Sequence, residues 1–432
     1  MLESLGTVFV VLSLIGCGTV LATSLGLIYQ FINHLILRRE GLSLEQARLA
    51  HPLPPDHELP HVVVQIAAFN EGALVERSIG NAIQLDWPKD KLHVQVCDDS
   101  TDGTTELARA AAARAVAMGF DVDVIHRDAR KGFKAGALQA AMLQTSHEYF
   151  AIFDVDYLSQ PDFLRRCMAV LLADAKLAFV QARPDFLNAD QNILTQAHAI
   201  VLDFHYCIEL ATRSWAKHAV HFNGTCGIWR RSAIELGGGW RGDTLTEDWE
   251  LSYHAWLGGM SGTFVSSVTA RGELVADLRT WMAQQRRWAA GIAQVALKML
   301  PIVCGGRQLS AQARWGAFFP LAMWSVYSVF AITPIVAAAA VLLQPSMALV
   351  LGLAVAAAYS VTGTVMFWLM FYSNRFFNRR ISFVKLLLMS IPLSGVCLYI
   401  SWAQFWALPA TLLGRRRVFV RTPKAGVAAK SS

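Results

Sequence analysis

The sequence predicts an α/β protein: a doubly wound sheet domain set between apolar helices long enough to cross a membrane, one before it and three to four after it. Two observations predict this. Only 16% of the 432 residues are charged and 54% are hydrophobic, whereas a soluble globular domain is about a quarter charged. The middle of the chain, unlike its ends, alternates short β-rich apolar runs with helical patterns, the order that gives a parallel sheet covered by helices.

Residues 7–36 carry no charged side chain and are long enough to span a bilayer. Glu3 precedes them and Arg38-Arg39 follow. A cleaved signal peptide would want a basic start and a shorter core, so a retained helix is expected, with its basic flank in the cytosol. The late apolar runs are 318–343, 347–372 and 383–413, the last interrupted by Pro392 and Pro409. Arg375, Arg379 and Arg380 follow the second run, and Arg415, Arg416 and Arg417 the third. One crossing by the third run would put its arginines outside, against the charge rule. Two short crossings, or a re-entrant or interfacial helix, would return them, so four or five spans and a cytosolic C-terminus are expected. The expected division is a helix over 1–40, a linker over 41–60 containing the stiff His51-Pro52-Leu53-Pro54-Pro55, a sheet domain over 61–275, a juxtamembrane stretch over 276–314, spans over 315–414 and a tail over 415–432.

Seven scattered cysteines form no C-x-x-C pair, which argues against a zinc or disulfide scaffold and fits a reduced compartment. The net charge of +6 sits largely in clusters beside the apolar runs; it reads as membrane orientation, with no nucleic-acid partner expected.

Expected strands are 61–68, 92–97, 122–125, 149–153, 177–181 and 263–268, with helices over 72–84, 104–118 and 135–145 among them. Such sheets bind ligands at the carboxyl ends of their strands, and the acids gather there. Asp98-Asp99-Ser100-Thr101-Asp102-Gly103 follows one strand; it suits an ordinary capping turn or a pair of carboxylates for a ligand's hydroxyls. Asp154-Val155-Asp156 ends another. In an extended segment these two side chains share a face, and unpaired carboxylates at close range are costly; a divalent cation, Mg2+ or Mn2+, relieves this, as Mg2+ takes one or two carboxylates plus substrate phosphates. A plain turn is the alternative. Lys131-Gly132-Phe133-Lys134 opens a helix, where a lysine opposes the dipole unless an anion sits there or solvent screens it. Thr246-Glu247-Asp248 suits a helix start, and equally a general base. Gln284-Gln285-Arg286-Arg287-Trp288 stands shortly before the late apolar runs, either as a juxtamembrane basic patch for lipid headgroups or as a guanidinium fork for phosphate beside a flat face for a sugar ring. The stretch 292–303 after it reads as an interfacial amphipathic helix with Lys298 on its polar side.

The order Asp98-Asp99-Ser100, Lys134-Ala135-Gly136, Asp154-Val155-Asp156, Phe222-Asn223-Gly224-Thr225, Thr246-Glu247-Asp248, Gln284-x-x-Arg287-Trp288 resembles that of the family 2 membrane glycosyltransferases, above all processive polysaccharide synthases such as cellulose synthase. The run from Phe222 to Arg230 is most similar to the cellulose-synthase-like mannan and glucomannan synthases. The resemblance covers roughly residues 60–300. One Asp-x-Asp is weak evidence, but six motifs in this order are specific.

The resemblance implies a GT-A type fold and an inverting transfer of a hexose from UDP-glucose or GDP-mannose to a growing β-linked polysaccharide, extruded through the membrane. It assigns Phe69, Asn70, Glu71, Asp98 and Asp99 to the nucleotide and Lys134 to the diphosphate. Asp154 would bind nucleotide and metal, Asp156 the metal. Asp248 would be the base, and Gln284 and Arg287 would hold the leaving diphosphate. Trp288, Phe222, Asn223, Gly224, Thr225 and Glu247 fall on the acceptor side. Transfer of a single sugar to a lipid acceptor is the alternative, and a homo-oligomer is left open. Tyr157 after the Asp-x-Asp and the lack of a proline in Glu273-Leu274-Val275 depart from the family pattern. No PilZ-like domain follows the apolar runs, so control by cyclic dinucleotides is not expected in this chain. A transporter would carry ionisable groups inside its spans, and the late runs hold only Lys385, near one end. The full acidic set argues against an inactive scaffold.

Overall fold

The computed structural model describes residues 2–306, 309–414 and 426. They divide into two compact units. Residues 37–189 and 213–275 form one; residues 2–36, 190–212, 276–306 and 309–414 form the other. The triple arginine at 415–417 and nearly all of the expected tail lie outside the described residues.

Along the chain, helix α1 (Leu2–Leu49) is followed by β1 (Val62–Ala68), α2 (Leu74–Ala82), β2 (Leu92–Asp98), α3 (Thr104–Ala117), β3 (Asp121–His126), α4 (Phe133–Met142) and β4 (Tyr149–Asp154). Then come β5 (Leu158–Ser159), α5 (Phe163–Leu172), β6 (Leu177–Phe186), α6 (Ile193–Phe204), a π-helical turn (His205–Ala211), α7 (Thr212–Trp215), β7 (Gly227–Arg230), α8 (Arg231–Leu236), α9 (Glu247–Leu257) and β8 (Ser261–Gly272). The last helices are α10 (Leu278–Gly305), α11 (Ala311–Leu343), α12 (Ala348–Phe376), α13 (Phe383–Leu388) and α14 (Ser390–Leu412).

The first unit holds one eight-stranded sheet in the order β3-β2-β1-β4-β7-β6-β8-β5. Strands β1 to β4 are parallel, as the alternating pattern predicts. The rest departs from an all-parallel sheet. β7 runs antiparallel to both β4 and β6, and β5 antiparallel to β8, so the sheet is mixed. Strand β2, next to the edge, is buried along its whole length although it contains Gln95. That amide pairs with Gln65 directly opposite on β1 at 2.9 Å, and both glutamines reach carbonyls of α4, Leu138 O at 3.3 Å and Ala141 O at 3.1 Å. A buried amide costs little once its hydrogen bonds are made, and this pair also fixes the register of β1 on β2. Apolar residues of β1, β2 and β4 pack with α5 (Phe163, Leu164, Met168) in one core. Edge strand β3 alternates instead, with Asp121 and Asp123 exposed and Val122 buried.

Among the described residues, five helical segments are long and apolar enough to cross a membrane: Leu2–Leu49, Leu278–Gly305, Val326–Leu343, Pro345–Phe376 and Ser390–Leu412. Large apolar side chains such as Leu342 and Ile391 lie more than four-fifths bare, as lipid-facing residues do, so the chain is read as a membrane protein. The stretch expected as an interfacial helix over 292–303 is instead the second half of the continuous α10. The run 383–413 breaks at Met389 into the short α13 and one helix of spanning length. Residues 190–212, expected within the sheet domain, belong to the other unit. Polar pairs tie its helices: Ser24 Oγ to Thr362 Oγ1 at 2.7 Å, and His34 to Thr212 Oγ1 at 3.0 Å and Tyr372 OH at 3.1 Å. Arg379 donates to both oxygens of the buried Asp203, at 2.9 and 3.2 Å.

Removing the cation from that last pair takes away two hydrogen bonds and the opposite charge from a buried carboxylate, and breaking such a pair costs about 3–5 kcal/mol. Arg379→Ala is therefore expected to lower the melting temperature of the detergent-solubilised protein clearly. A melting curve superimposable on wild type would show that the pair contributes nothing.

Candidate active site

The site is built from loops at the carboxyl ends of the parallel strands. After β1 the chain turns through Asn70, which adopts a left-handed φ of 58°. Its N–H donates to Ser100 Oγ at 2.9 Å, its Oδ1 accepts from Thr101 N at 2.7 Å, and Gly72 N donates to Thr104 Oγ1 at 2.8 Å. The Phe69-Asn70-Glu71 loop is thus laced to the loop after β2. The Arg130 guanidinium lies 3.5 Å over the Phe69 ring, a cation–π contact.

Asp98 and Asp99 divide their work. Asp98 is fully buried. Its carboxylate accepts from Ser100 N at 3.1 Å, Thr105 Oγ1 at 2.6 Å and His126 Nδ1 at 2.7 Å. Burial pushes its pKa up, but these hydrogen bonds outweigh it and hold the carboxyl below its usual value. The resemblance places Asp98 on the donor; with its oxygens taken up inside the fold, it holds the loop instead. Asp99 is forked by Arg127, Nε to Oδ1 at 2.7 Å and Nη2 to Oδ2 at 2.6 Å. The same guanidinium donates to Lys131 O and Phe133 O, each at 3.0 Å. Sequence reasoning passed over Arg127; its one signal was its position at the end of β3, facing the acids that end β2.

Arg127 fixes the turn that starts α4. Gly132 there has φ +74°, and a side chain on Gly136 would run into Lys131 O. Lys134 follows, its ammonium largely enclosed, ion-paired to Asp154 and donating to Gly224 O at 2.7 Å. Burial opposes its charge, but Asp154 and Glu247 outweigh burial and raise its pKa. It stays an ammonium, so the helix start does hold a cation among anions, as the odd position of that lysine suggested.

Asp154 closes β4, its N–H donating to Thr225 Oγ1 at 3.0 Å. Extended geometry would put Asp156 beside it. The strand instead ends at Asp154 and turns, so Asp154 meets Lys134 while the buried Asp156 accepts from Glu273 N at 3.0 Å. Tyr157, the departure in this loop, packs its ring on Gly272, where a side chain would collide with it. The two carboxylates offer hard oxygen donors. Among the described residues no third metal-binding side chain groups with them, so a cation there would draw its other ligands from phosphate and water, which suits Mg2+ or Mn2+.

In the Phe222-Asn223-Gly224-Thr225 motif the four residues part company. Phe222, expected at the acceptor, is fully buried and meets Phe179 and Trp229 edge-on, each 5.6 Å between centroids. It is core. Thr225 is buried at the end of β4. Asn223 N donates to Gln181 Oε1 at 2.8 Å, while its side-chain nitrogen is buried without a hydrogen-bond partner. Gln181, missed in the sequence, also donates to Ala182 O, Thr225 O and Cys226 O at 2.7–3.2 Å and so holds the motif in place. Gly224, at φ +77°, brings bare backbone against Asp248: a Cβ there would lie 3.1 Å from Asp248 Oδ2.

Glu247 and Asp248 begin α9. Ser252 Oγ donates to Asp248 O at 2.6 Å and accepts from Phe222 N at 2.9 Å, which locks that turn to the motif. Burial, then the Glu247 charge beside it, push the Asp248 carboxyl up to about 8, against the pull of Lys134. A carboxylate with raised proton affinity, near a cation and a backbone carbonyl, can accept a proton from a hydroxyl.

Gln284, Arg287 and Trp288 lie at i, i+3 and i+4 on α10 in the other unit, on one helix face. Trp288 stands 6.0 Å from the ring of His198 on α6, with Trp281 5.9 Å from the same ring. Gln284 Oε1 is buried without a hydrogen-bond partner.

A family model described as "Glycosyltransferase like family 2" matches residues 60–291. The chain belongs to that family. It is 39% identical over 259 residues to Glucomannan 4-beta-mannosyltransferase 1 of Oryza sativa subsp. japonica, covering 58% of this chain and 50% of that protein. It is also 39% identical over 257 residues to Glucomannan 4-beta-mannosyltransferase 9 of Arabidopsis thaliana, covering 57% and 48%. The chain spans about half the length of the curated relatives it matches. In fold it is similar to the mannosyltransferase PcManGT from Pyrobaculum calidifontis, solved in complex with GDP-Man and Mn2+, with a TM-score of 0.54, 19% identity, and coverage of 92% of this chain and all of that one. This glycosyltransferase therefore has the GT-A-like mixed sheet that the motifs implied.

The separation of Phe222 from its neighbours is testable. Phe222→Ala removes a fully buried ring and is expected to cost about 3–5 kcal/mol, seen as a drop in melting temperature; Asn223→Ala, which empties no core, should melt close to wild type. Equal melting temperatures for the two would place Phe222 outside the core.

Proposed function

We propose that the protein is an inverting mannosyltransferase that adds mannose from a nucleotide-diphospho-sugar to a β-linked glycan at a membrane. The grouping of Lys134, Asp154, Gly224 and Asp248, with the Asp248 carboxyl raised, carries the reading. The donor class and polysaccharide acceptor rest on the glucomannan mannosyltransferases it is similar to. Export of the product through the membrane helices, several passes with the sheet domain cytosolic, completes the proposal.

In this reading the Asn70 loop and Asp99, held by Arg127, carry the nucleoside, and Lys134 offers its ammonium to the diphosphate. Asp154 and Asp156 would hold a divalent cation, Mg2+ or Mn2+, which when bound neutralises charge on the departing diphosphate. The acceptor hydroxyl attacks the anomeric carbon opposite the leaving group, and Asp248 takes its proton. One displacement inverts the centre, from an α-linked donor to a β-linked product. Gly224 leaves the acceptor oxygen room beside Asp248, and Asn223 Nδ2, which has no protein partner, is assigned to a hydrogen bond with the sugar. Glu247 keeps the Asp248 proton affinity high. Gln284 and Arg287 are assigned to the diphosphate and Trp288 to the face of the acceptor sugar.

Three outcomes are expected. Membranes containing the protein, given labelled GDP-mannose or UDP-glucose with Mg2+ or Mn2+, should incorporate mannose into ethanol-insoluble, mannanase-sensitive material; label in the lipid extract alone would replace the polymer reading with single transfer to a lipid. Asp248→Asn should lower turnover by at least about a hundredfold while calorimetry still detects donor binding, and an active variant would end its role as base. Because an acid raised to about 8 must ionise before it can act as a base, kcat/KM should climb with pH through that region. Glu247→Gln removes the second cause of the upward shift and should move the climb to lower pH. A climb that stays in place would mean another group sets it.

A further inference from the structure

At the opposite end of the sheet from the catalytic loops, a second group of metal-type ligands gathers. His93 is the second residue of β2. Asp121 is its register partner on β3, and Asp123 lies two residues on, on the same face of the strand. One ligand atom from each of the three lies within 4.8 Å of the others. His93 Nε2 is 3.0 Å from Asp123 Oδ2. The ring of His147, in the loop before β4, meets His93 edge-on with centroids 6.3 Å apart, and stacks on His61 at 4.6 Å.

Acidic side chains on an edge strand are common and serve to blunt it. Two features go beyond that. The imidazole of His93 is enclosed at the sheet edge, where a blunted edge needs only solvent-facing charge, and both carboxylates converge on it. One histidine can answer one of them: Asp123 has the His93 contact, and Asp121 makes no hydrogen bond or salt bridge in the described structure. Like charges on neighbouring positions of one strand face repel.

We propose that His93, Asp121 and Asp123 form a site for a divalent transition-metal ion of the zinc class, separate from the cation of the donor site. One neutral imidazole and two carboxylates suit zinc, which takes nitrogen and oxygen ligands together, and their two charges cancel its own. His147 provides a second imidazole at the margin. The site is not catalytic: His93 and Asp98 are five residues apart on β2, about 16 Å along a strand. Its effect is mechanical. The ion bridges β2 and β3, and β3 is the edge strand whose far end carries His126 and Arg127, the residues that hold Asp98 and Asp99. Clamping β3 at its start steadies the strand that orders the nucleotide loop.

The test uses the full chain in detergent, purified without a histidine tag, stripped with chelator and titrated with zinc chloride in excess Mg2+. The Mg2+ occupies an oxygen-only site and competes poorly for imidazole. Wild type should bind one equivalent of zinc and melt higher with it, as any ligand of the native state requires. Asp121→Asn, an exposed change that should leave the fold intact, and His93→Gln should each lose that equivalent and the melting shift. Mn2+-dependent donor binding should persist in both. Cobalt should give visible absorption bands in wild type that Asp121→Asn lacks. Absence of zinc binding in wild type, or an undiminished equivalent in both variants, overturns the site.

Discussion

Three carboxylates, Asp154, Glu247 and Asp248, lie around the ammonium of Lys134 at the carboxyl ends of the strands. Without that cation the group would be a cluster of like charges partly withdrawn from water, and such charges neutralise by taking up protons. With it, Asp154 stays paired, the carbonyl of Gly224 has a donor, and the loop of β7 is drawn onto the end of β4. Everything that shapes the start of α4 serves this placement. Gly132 gives the left-handed turn, Gly136 lets Lys131 O come close, and Arg127 fixes two carbonyls of the turn. A lysine at a helix N-terminus is unfavourable for the helix alone; the anions around it reverse the sign.

The same arrangement explains how one residue type does opposite work within one site. Asp98 is fully buried, yet its carboxyl is held low, because a backbone N–H, a hydroxyl and an imidazole meet its oxygens and outweigh burial. Asp248 has the N–H of its own neighbour Trp249 at 3.0 Å, and burial, then the Glu247 charge beside it, push it up. Both carboxyls are pushed up by burial; hydrogen-bond supply reverses that push at Asp98 and not at Asp248.

This sorting marks the limit of what the sequence conveys. The six motifs and strands β1 to β4 are legible because apolar runs and acidic ends recur with a clear spacing. β7 is not, since its four residues sit inside a run recognised only by its motif, and β5 has only two residues. Phe222 and Asn223 are adjacent and look alike as motif letters, but the loop before β7 sends one to the core and leaves the other's buried amide nitrogen without a protein partner. Asp154 and Asp156 look like neighbours on one strand face, but the strand ends at Asp154 and the turn gives each its own protein partner. Arg127 and Gln181 carry no motif. Their importance comes from which backbone carbonyls they reach, and that exists only after the chain has folded. Residues 190–212, expected within the sheet domain, carry His198, Asp203 and His205, and each of those polar groups has a place within the helical unit.

That last point bears on α10. Gln284, Arg287 and Trp288 are carried on a helix, although loops more often supply such groups. Trp281 and Trp288, seven residues apart, both meet His198, and Arg286 donates to Tyr399 OH at 2.7 Å. α6, which carries His198, begins with a reciprocal cap between Asn192 and Thr195, and Asn192 Nδ2 reaches Ala276 O at 3.0 Å, two residues before α10 starts. The aromatic face is therefore fixed by packing against α6 and α14 before any sugar reaches it. A sugar ring stacking on an already immobile indole loses little side-chain entropy in binding. Under the proposed polymer-forming function, such a platform favours repeated registration of the acceptor end over tight holding. That requirement accounts for a rigid helix at this position better than a mobile loop would.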